Sequence, residues 1–484
     1  MAKQPHVLVV PLPAQGHLLP LMKLARKLAN RGINVTVMNL ETIHRKIIHA
    51  MPTRVRLVGV PDGLELDHRH DLVKQMECLE RVMPGQLRSQ LVEGEVVCVI
   101  ADVSLAWAFH EAKAMGTKTA AFYPASAATL SLLLDIPRLL QLRILDHDGV
   151  GLTESSIGMA KEIPSWEANE LPWSHPAYTD ELRKLSFQSC CFNVRECSQN
   201  SDYMLVNSSQ ELEPSAFRLI PNAFPIGPLQ ISTDIDPDDD TDNSVLVGSL
   251  WPEDQTCLTW LNMQDQGTVI YVAFGSIATI ENQQQFAELA IALEFTGNPF
   301  LWVVRPGGSE FPDGFLKRVG DRGKIVEWAN QEEVLSHPSI ACFVSHCGWN
   351  STLDGLVAGV PFLCWPFCFD QFHNKKYICE TWKIGLELKA ENGTDVGIIT
   401  NAEIVRKLDE LLYDDTIKSN SMKLREIARD ATCGSTTDTG SSFLKFETFV
   451  TELCNTLCKC HIDNVQEISK DYKRQLNLNG QDVC

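Results

Sequence analysis

Residues 328–371 read WANQEEVLSHPSIACFVSHCGWNSTLDGLVAGVPFLCWPFCFDQ, and this stretch indicates the fold of the chain around it. The apolar run 340–344 predicts a buried strand. A tight turn, Ser-His-Cys-Gly, follows it, and Asn350 and Ser351 are good N-cap residues for a helix that Gly359 ends. The stretch therefore predicts a strand, a glycine turn and a helix N-terminus in succession.

A helix N-terminus at this turn is suited to bind a phosphate, because it exposes free N–H donors and carries a partial positive charge. Aromatic and polar side chains flank it in sequence: Trp328, Gln331, His346, Asp354, Asp370 and Gln371. An aromatic surface, an anion cradle and groups that bind hydroxyls together indicate a site for a nucleotide-sugar.

The same stretch resembles the signature box of plant UDP-dependent glycosyltransferases that modify small metabolites. The tryptophan, the glutamine three residues later, His-Cys-Gly-Trp-Asn-Ser and the final Asp-Gln fall at the spacing of that family. The resemblance covers residues 5–455. It implies the GT-B architecture, in which two doubly wound Rossmann-like α/β domains face each other across a cleft. It also implies that the donor lies on the second domain and the acceptor on the first.

The length suggests two to four domains, since a domain typically has about 100–200 residues, and the hydrophobic content of 44% supports large packed cores. No run of the 484 residues approaches the apolar length of a membrane helix, and the N-terminus enters a strand without a signal-peptide pattern. We therefore expect a cytoplasmic protein whose 16 cysteines are reduced. The net charge of −20 argues against a nucleic acid or an anionic membrane as partner.

The first half of the chain predicts a parallel, doubly wound sheet, because apolar runs alternate with helical segments. The predicted strands are residues 6–10, 34–40, 55–60, 96–101, 119–123 and 203–207. In the strand order 3-2-1-4-5-6, strands one and four are neighbours, and ligands bind beyond their carboxyl ends. His17 follows strand one and Asp102 follows strand four, so we expect them to meet. Either residue alone would more often cap a helix, but a histidine oriented by a carboxylate is a general-base arrangement.

The second half repeats this alternation, with predicted strands at residues 269–274, 300–304, 324–327, 340–345 and 361–365. The same neighbour rule places Ser276 beside His346 and Asn350 at a second switch point. Neither G-x-G-x-x-G after a first strand nor G-x-x-x-x-G-K-[ST] occurs, which argues against a dehydrogenase and a P-loop phosphotransferase. The irregular region 149–200, rich in Pro and Trp, is expected to line the acceptor pocket.

The expected domain organisation follows from these patterns and from the resemblance. Alternate aspartates in the acidic segment 231–243 lack the glycine and glutamate of a calcium loop and do not end a strand, so this segment is interpreted as a linker. No second cysteine pair completes a zinc site with Cys454, Cys458, Cys460 and His461, so this segment is interpreted as part of a tail. The units are an acceptor domain (1–230), a linker (231–250), a UDP-sugar domain (251–440), a helix returning to the first domain (441–455) and a mobile tail (456–484).

Residue roles are implied by the resemblance. The position of His17 holds the catalytic base and that of Asp102 its partner. Trp328 would stack on uracil beside the Ala329 backbone, and Gln331 and Asp354 would hold the ribose. The remaining donor-binding positions are Ser276, His346, Asn350 and Ser351 at the diphosphate, and Trp349, Asp370 and Gln371 at the sugar hydroxyls. No metal and no cofactor is expected beyond the UDP-sugar itself, and the family expectation is a monomer.

Two departures from the family pattern concern the donor site. Asp354 replaces the usual glutamate, and Cys368-Phe369 precede Asp370, where Phe369 would crowd the sugar pocket. The predicted function is inverting transfer of a hexose to a hydroxyl or carboxyl group of a small lipophilic metabolite. Gln371 favours glucose, and the acceptor stays open. The alternatives are a catalytically weak nucleotide-sugar-binding protein and a transferase that uses another UDP-sugar.

Overall fold

The computed structural model describes residues 4–48, 55–64, 72–93, 95–152, 156–174, 178–230, 249–276, 280, 282–307, 309–390, 397–434 and 439–456. The predicted linker up to residue 248 and the cysteine-containing tail from residue 457 lie outside the described residues. None of the helices within these ranges is long and apolar enough to cross a membrane.

Seven strands of the described first half form one parallel sheet. They are β1 (His6–Val10), β2 (Asn34–Leu40), β3 (Val55–Val60), β4 (Val96–Asp102), β5 (Lys118–Tyr123), β6 (Tyr203–Val206) and β7 (Ala223–Pro225). The order β3-β2-β1-β4-β5-β6-β7 confirms the predicted order and adds β7, which is too short to give a periodic signal. Val10 pairs with Ala101, so the segments that follow β1 and β4 leave the sheet side by side.

The helices of this half are α1 (Gln15–Asn30), α2 (Glu41–Ile47), α3 (Leu72–Glu93), α4 (Ala106–Ala114), α5 (Ala127–Gln141), α6 (Asp180–Asn200) and α7 (Pro214–Leu219). The prediction of an irregular region over 149–200 was wrong for its last part, because α6 occupies it. Trp166 and Trp173 from the same region are fully buried in the core. Burial of these two large side chains orders the segment without regular secondary structure.

Six strands of the described second half form another parallel sheet, in the order β10-β9-β8-β11-β12-β13. They are β8 (Val269–Ala273), β9 (Phe300–Val303), β10 (Gly323–Val326), β11 (Ile340–Ser345), β12 (Phe362–Cys364) and β13 (Gly385–Glu387). Successive residues of β8 point to different cores: Ile270 and Val272 to one, Tyr271 to the other. Both faces are therefore covered, as expected for a doubly wound sheet with continuous apolar strands.

The second half carries α8 (Cys257–Leu261), α9 (Gln283–Phe295), α10 (Phe315–Val319), α11 (Gln331–Ser336), α12 (Trp349–Ala358), α13 (Gln371–Lys376), α14 (Asn401–Tyr413) and α15 (Asp415–Thr432). Gly348 is the N-cap of α12, so the prediction that Asn350 and Ser351 cap this helix was wrong, and both lie in its first turn. Gly359 ends α12 with a left-handed backbone (φ 75°), as predicted.

A last helix, α16 (residues 441–456), packs on the first domain. Its Phe446 and Phe449 are fully buried in the same core as β1. The Tyr203 hydroxyl at β6 donates a hydrogen bond to Glu452, and Arg31 pairs with Glu447. The chain thus crosses back from the second sheet to the first.

Candidate active site

A cavity of about 420 Å³ lies between the two sheets and is lined by residues of both halves. Its lining includes every predicted UDP-sugar-binding residue: Ser276, Trp328, Ala329, Gln331, His346, Trp349, Asn350, Ser351, Asp354, Asp370 and Gln371. His17 lines the same cavity from the first domain. The two switch points therefore open into one space, in which groups from both domains can act on the same molecule.

His17 and Asp102 meet at the first switch point, as their strand positions predicted. His17 Nδ1 lies 2.7 Å from Asp102 Oδ2. The carboxylate is fully buried behind the ring, whereas one third of the His17 side chain (33%) is exposed. The backbone N–H of Ser104 donates to the other oxygen, Asp102 Oδ1, at 2.9 Å. Since Asp102 is held on both oxygens, it fixes the orientation of the imidazole toward the cavity.

The pKa of His17 is raised above its ordinary value. Burial disfavours the imidazolium, but the negative charge and the hydrogen bond of Asp102 outweigh this, and Asp370 adds a further contribution of the same sign. Asp370 comes from the second domain, and burial raises the pKa of its own carboxyl. The electrostatic environment of His17 is consequently shared by both domains, which suits a group that must take up a proton.

His346 lies in a tight space between two glycines at the second switch point. A Cβ atom on Gly275 or on Gly348 would come within 2.5 Å of His346 Nε2, so neither position tolerates a side chain. Gly275 also has a positive φ of 71°. Burial first, and then the charge of Arg305, lower the pKa of His346 to about 4. The ring is therefore neutral at pH 7, and its Nδ1 has no hydrogen-bond partner among the described residues.

Arg305, which follows β9, is a functional candidate that the sequence patterns did not indicate. Its guanidinium donates to the carbonyl oxygen of Ser276, the residue after the glycine turn of β8. Its charge also acts on His346. A cation at this place contributes positive potential beside the N-terminus of α12, where an anion would bind. Its position at the end of a strand adjacent to the switch point was the available signal.

Trp328 has a second tryptophan behind it. The ring centroids of Trp251 and Trp328 are 4.8 Å apart with an interplanar angle of 29°. Only Trp328 of the two lines the cavity, and Ala329 beside it is buried. One indole face is thus supported by protein, which prepares the other for stacking with a planar ligand. Trp251 was predicted only as the start of the second domain.

Gln331, Ser351 and Asp354 form one hydrogen-bonded group. Gln331 Nε2 donates to Ser351 Oγ and to Asp354 Oδ2, each at 2.9 Å. Lys23 of α1 and Glu332 of α11 extend this group, with Lys23 Nζ 3.0 Å from Glu332 Oε2 and 3.7 Å from Asp354 Oδ1. The predicted ribose-binding residues therefore depend on a lysine from the other domain.

The Asp370–Gln371 pair at the start of α13 is held by hydrogen bonds to neighbouring residues of the same segment. Gln371 Oε1 accepts hydrogen bonds from the backbone N–H groups of Phe367 (2.8 Å) and Cys368 (3.1 Å). Its amide nitrogen donates to Cys368 Sγ at 3.5 Å, so the second N–H of that amide is what it can offer a ligand. Asp370 Oδ2 accepts from Asn374 at 2.9 Å. Phe369 has a positive φ of 54° and is 40% exposed at the cavity wall. Phe369 lines the cavity, and its crowding of the sugar pocket stays a prediction.

Two predicted donor residues make contacts to the first domain. The indole N–H of Trp349 donates to the backbone carbonyl of Asn207 at 2.8 Å. Asn350 Nδ2 donates to the carbonyl oxygen of Gly16 at 2.7 Å. The side-chain donor of Trp349 is therefore already used, and its backbone is what remains for a ligand.

Region 149–200, predicted to line the acceptor pocket, contributes Pro172 and four residues of helix α6 to the cavity wall that the first domain provides. Leu133 of α5 and residues at the strand ends complete this wall. Its members are mostly apolar or uncharged: Leu12, Val103, Tyr123, Leu133, Pro172, Ser189, Cys190, Asn193 and Val194. Residues 164–170 instead pack on α13. Trp166 stacks on His373 at 3.7 Å, and Lys376 pairs with Glu170.

Comparison with known proteins places this geometry among sugar transferases. The family described as UDP-glucoronosyl and UDP-glucosyl transferase matches residues 5–434. UDP-glycosyltransferase 83A1 of Arabidopsis thaliana is 40% identical over 445 residues, which cover 88% of this chain and 92% of the relative. Linamarin synthase 1 of Manihot esculenta is 29% identical over 486 residues, which cover 93% and 97%.

Solved structures with similar folds contain nucleotide and acceptor ligands. Os79 from O. sativa, crystallised in complex with UDP, matches with a TM-score of 0.77 and 26% identity, covering 92% of this chain and 100% of that one. Phytolacca americana UGT2, complexed with UDP-2fluoro-glucose and pterostilbene, matches with a TM-score of 0.75 and 26% identity, covering 93% and 100%.

Proposed function

The chain belongs to the family of UDP-glucuronosyl and UDP-glucosyl transferases, and we propose that it transfers glucose from UDP-glucose to a hydroxyl group of a small lipophilic acceptor. Its general activity is that of a plant UDP-glycosyltransferase of secondary metabolism, which takes the sugar from a UDP-sugar. One observation carries the finer proposal: the His17–Asp102 pair and the predicted donor-binding residues line or adjoin a single cavity.

His17 acts as the general base. Because Asp102 accepts a hydrogen bond from Nδ1–H, the neutral tautomer leaves the lone pair on Nε2 to take up the hydroxyl proton of the acceptor. The oxygen then attacks the anomeric carbon from the side opposite UDP, which inverts the configuration, and Asp102 stabilises the imidazolium that forms. A positioned base typically contributes about 10²–10⁴-fold in rate.

The diphosphate leaves with increased negative charge, which fixed donors and dipoles stabilise. The N-terminus of α12, Ser351 and Ser276 lie at this part of the cavity. His346 is neutral at pH 7 and contributes a hydrogen bond, while Arg305 supplies positive potential beside it. In this mechanism the protein provides the electrostatic stabilisation that other sugar transferases obtain from a metal, and no further cofactor takes part.

The choice of glucose follows from the resemblance, in which a glutamine at the position of Gln371 is typical of a glucose donor, and Asp370 and Gln371 both line the cavity. Trp328 stacks on uracil, and Gln331 with Asp354 binds the ribose. The UDP-2fluoro-glucose bound by Phytolacca americana UGT2 supports a glucose donor, and its pterostilbene supports a lipophilic acceptor. The apolar wall around Val103, Leu133 and Val194 is consistent with such an acceptor. A carboxyl acceptor and another UDP-hexose are the alternatives that the experiment distinguishes.

Release of UDP by the purified protein tests this proposal, with UDP-glucose and a panel of phenols, aliphatic alcohols and carboxylic acids. The test variant is His17→Ala. The matched control is His110→Ala, which breaks a second histidine–carboxylate pair of the same length, 2.7 Å to Glu196, on the surface and away from the cavity. We expect acceptor-dependent release that His17→Ala lowers by at least about 10²-fold and His110→Ala leaves unchanged.

Each other outcome is decisive for part of the proposal. Release that survives His17→Ala would remove the base. A higher rate with UDP-galactose or another UDP-sugar would correct the donor. Tight binding of UDP without turnover of any acceptor would favour a nucleotide-sugar-binding protein over an enzyme.

A further inference from the structure

Gln15 is a buried polar residue at the cavity, two positions before His17. It is the first residue of α1, it is only 8% exposed, and it lines the cavity. Its Oε1 accepts a hydrogen bond of 2.9 Å from the backbone N–H of Leu250. The two residues are 235 positions apart in sequence. The side chain therefore joins the start of the first helix to the segment through which the chain enters its second half.

Leu250 and Trp251 connect this segment to both halves of the protein. Leu250 is 9% exposed in the core of the first domain, and Trp251 packs against the same core. The indole of Trp251 also stacks behind Trp328, with ring centroids 4.8 Å apart. The backbone N–H of Asp254 donates to the carbonyl oxygen of Trp328 at 2.9 Å. The aromatic wall of the cavity is thus attached to the peptide that Gln15 holds.

The first turn of α1, which carries His17, is consequently held from two sides. The side chain of Gln15 accepts from Leu250, and the carbonyl oxygen of Gly16 accepts from Asn350 Nδ2 at 2.7 Å. The first bond leads to the aromatic wall, and the second leads to the N-terminus of α12. Loss of a buried hydrogen bond leaves its partner unsatisfied, so neither contact is easily given up.

We propose that Gln15 is a positioning residue for the transfer reaction, whose amide fixes the turn that carries His17 against the segment behind Trp328. The base is thereby set at a defined place relative to the bound donor. This inference rests on the proposed function, since it takes His17 as the base and Trp328 as the surface for the nucleobase. Gln15 acts through His17 and takes up no proton itself. Misplacement of a reacting group by about 1 Å can cost about 10²-fold in rate.

Gln285 in α9 provides a matched control. It is 7% exposed, its Oε1 accepts from the backbone N–H of Ile399 at 2.7 Å, and its Nε2 donates to the carbonyl oxygen of Ile399 at 2.9 Å. Gln285 is not among the described residues that line the cavity. Gln285→Met therefore removes a buried glutamine that bridges to a distant backbone segment, as Gln15→Met does, but leaves the turn of His17 untouched.

The experiment measures affinity and rate separately. Titration calorimetry with UDP gives the Kd and the fraction of competent sites, and UDP release at saturating UDP-glucose and acceptor gives kcat per competent site. Gln15→Met should lower kcat per site by at least about 10-fold, because His17 is no longer held in line with the donor. The Kd for UDP should stay within about threefold, since the stack of Trp251 on Trp328 is retained.

Two further variants separate positioning from general stability. Gln15→Glu keeps a side-chain oxygen that can accept from Leu250 in either protonation state, so kcat per site should return to within about threefold of the unsubstituted protein. A Gln15→Glu variant as slow as Gln15→Met would contradict the role of the Leu250 bond. Gln285→Met should leave kcat per site unchanged. Gln15→Asn, whose amide is one methylene too short for the bond, serves if Gln15→Met does not fold.

An unchanged kcat per site in Gln15→Met, or in Gln15→Asn where the methionine variant is unfolded, would overturn the inference. A loss confined to UDP affinity would also overturn it, because Gln15 would then be a ligand contact. An equal loss of kcat per site in Gln285→Met would reduce the effect to one of stability. Failure of the unsubstituted protein to release UDP with any acceptor, or release that survives His17→Ala, would instead overturn the proposed function, and the inference with it.

Discussion

The side-chain amide of Asn350 donates a hydrogen bond of 2.7 Å to the carbonyl oxygen of Gly16, the residue that precedes His17. Asn350 lies in the first turn of α12, whose N-terminus lines the cavity. The neighbouring Trp349 donates to Asn207 of the first domain. The helix that is expected to bind the leaving group therefore also holds the first turn of α1, which carries the proposed base.

Replacement of Asn350 by alanine should reduce kcat by about 10²-fold, because a small misplacement of a catalytic group has an effect of that size. The KM for the acceptor should change little, since Asn350 lies on the donor side of the cavity. Steady-state kinetics with a fixed acceptor measure both constants. An unchanged kcat, with a loss only in UDP affinity, would mean that Asn350 serves the diphosphate alone and does not position His17.

The pH dependence of catalysis should follow the raised pKa of His17. The base is active when neutral, so kcat/KM should fall as the pH decreases through that pKa, which lies above the ordinary 6.5. Asp102→Asn removes the charge that chiefly raises the pKa, so the acid limb should move to lower pH while the maximal rate falls by about 10²–10⁴-fold. Asp370→Asn should move the limb in the same direction by less. Identical acid limbs in all three proteins would contradict this assignment.

Asp354→Glu should strengthen UDP-sugar binding by roughly threefold, since the longer carboxylate reaches both ribose hydroxyls without an intervening water. Competitive inhibition by UDP gives the affinity, and Asp354→Asn provides the comparison in which the charge is lost at the same length. An affinity that does not change in Asp354→Glu would show that the short side chain, together with its neighbours, already binds the ribose fully.

Trp166→Ala should destabilise the protein by about 3–5 kcal/mol, because it removes a fully buried indole and the ring that stacks on His373. His373 lies in α13, directly after the Asp370–Gln371 pair, so the KM for the donor should rise as well. Denaturant unfolding and donor kinetics measure the two effects, with Trp166→Phe as the variant that retains a stacked ring. A loss of stability without any change in donor KM would limit this contact to a structural role.

Much of the fold could be predicted because parallel strands buried on both faces appear as apolar runs, and their alternation with helices specifies a doubly wound sheet. The order of the central strands and the meeting of His17 with Asp102 followed from one neighbour rule. The strands β7 and β13 were missed because their three residues, Ala-Phe-Pro and Gly-Leu-Glu, do not form an apolar run, whereas the equally short β12 lies within the apolar run 361–365. Helix α6 was missed because its apolar periodicity is weak, and the start of α12 was placed too late because Gly348 is its N-cap.

The sequence by itself determined the central strands of the two sheets, the two switch points and most of the residues at each, since strand periodicity and motif spacing are local properties of the chain. Only the tertiary structure decided which groups act together across the domains: Asn350 with Gly16, Lys23 with Glu332 and Asp354, and Trp166 with His373. The physical reason is that these pairs are separated by long stretches of chain. Their contacts depend on how the two domains pack, which no local pattern encodes.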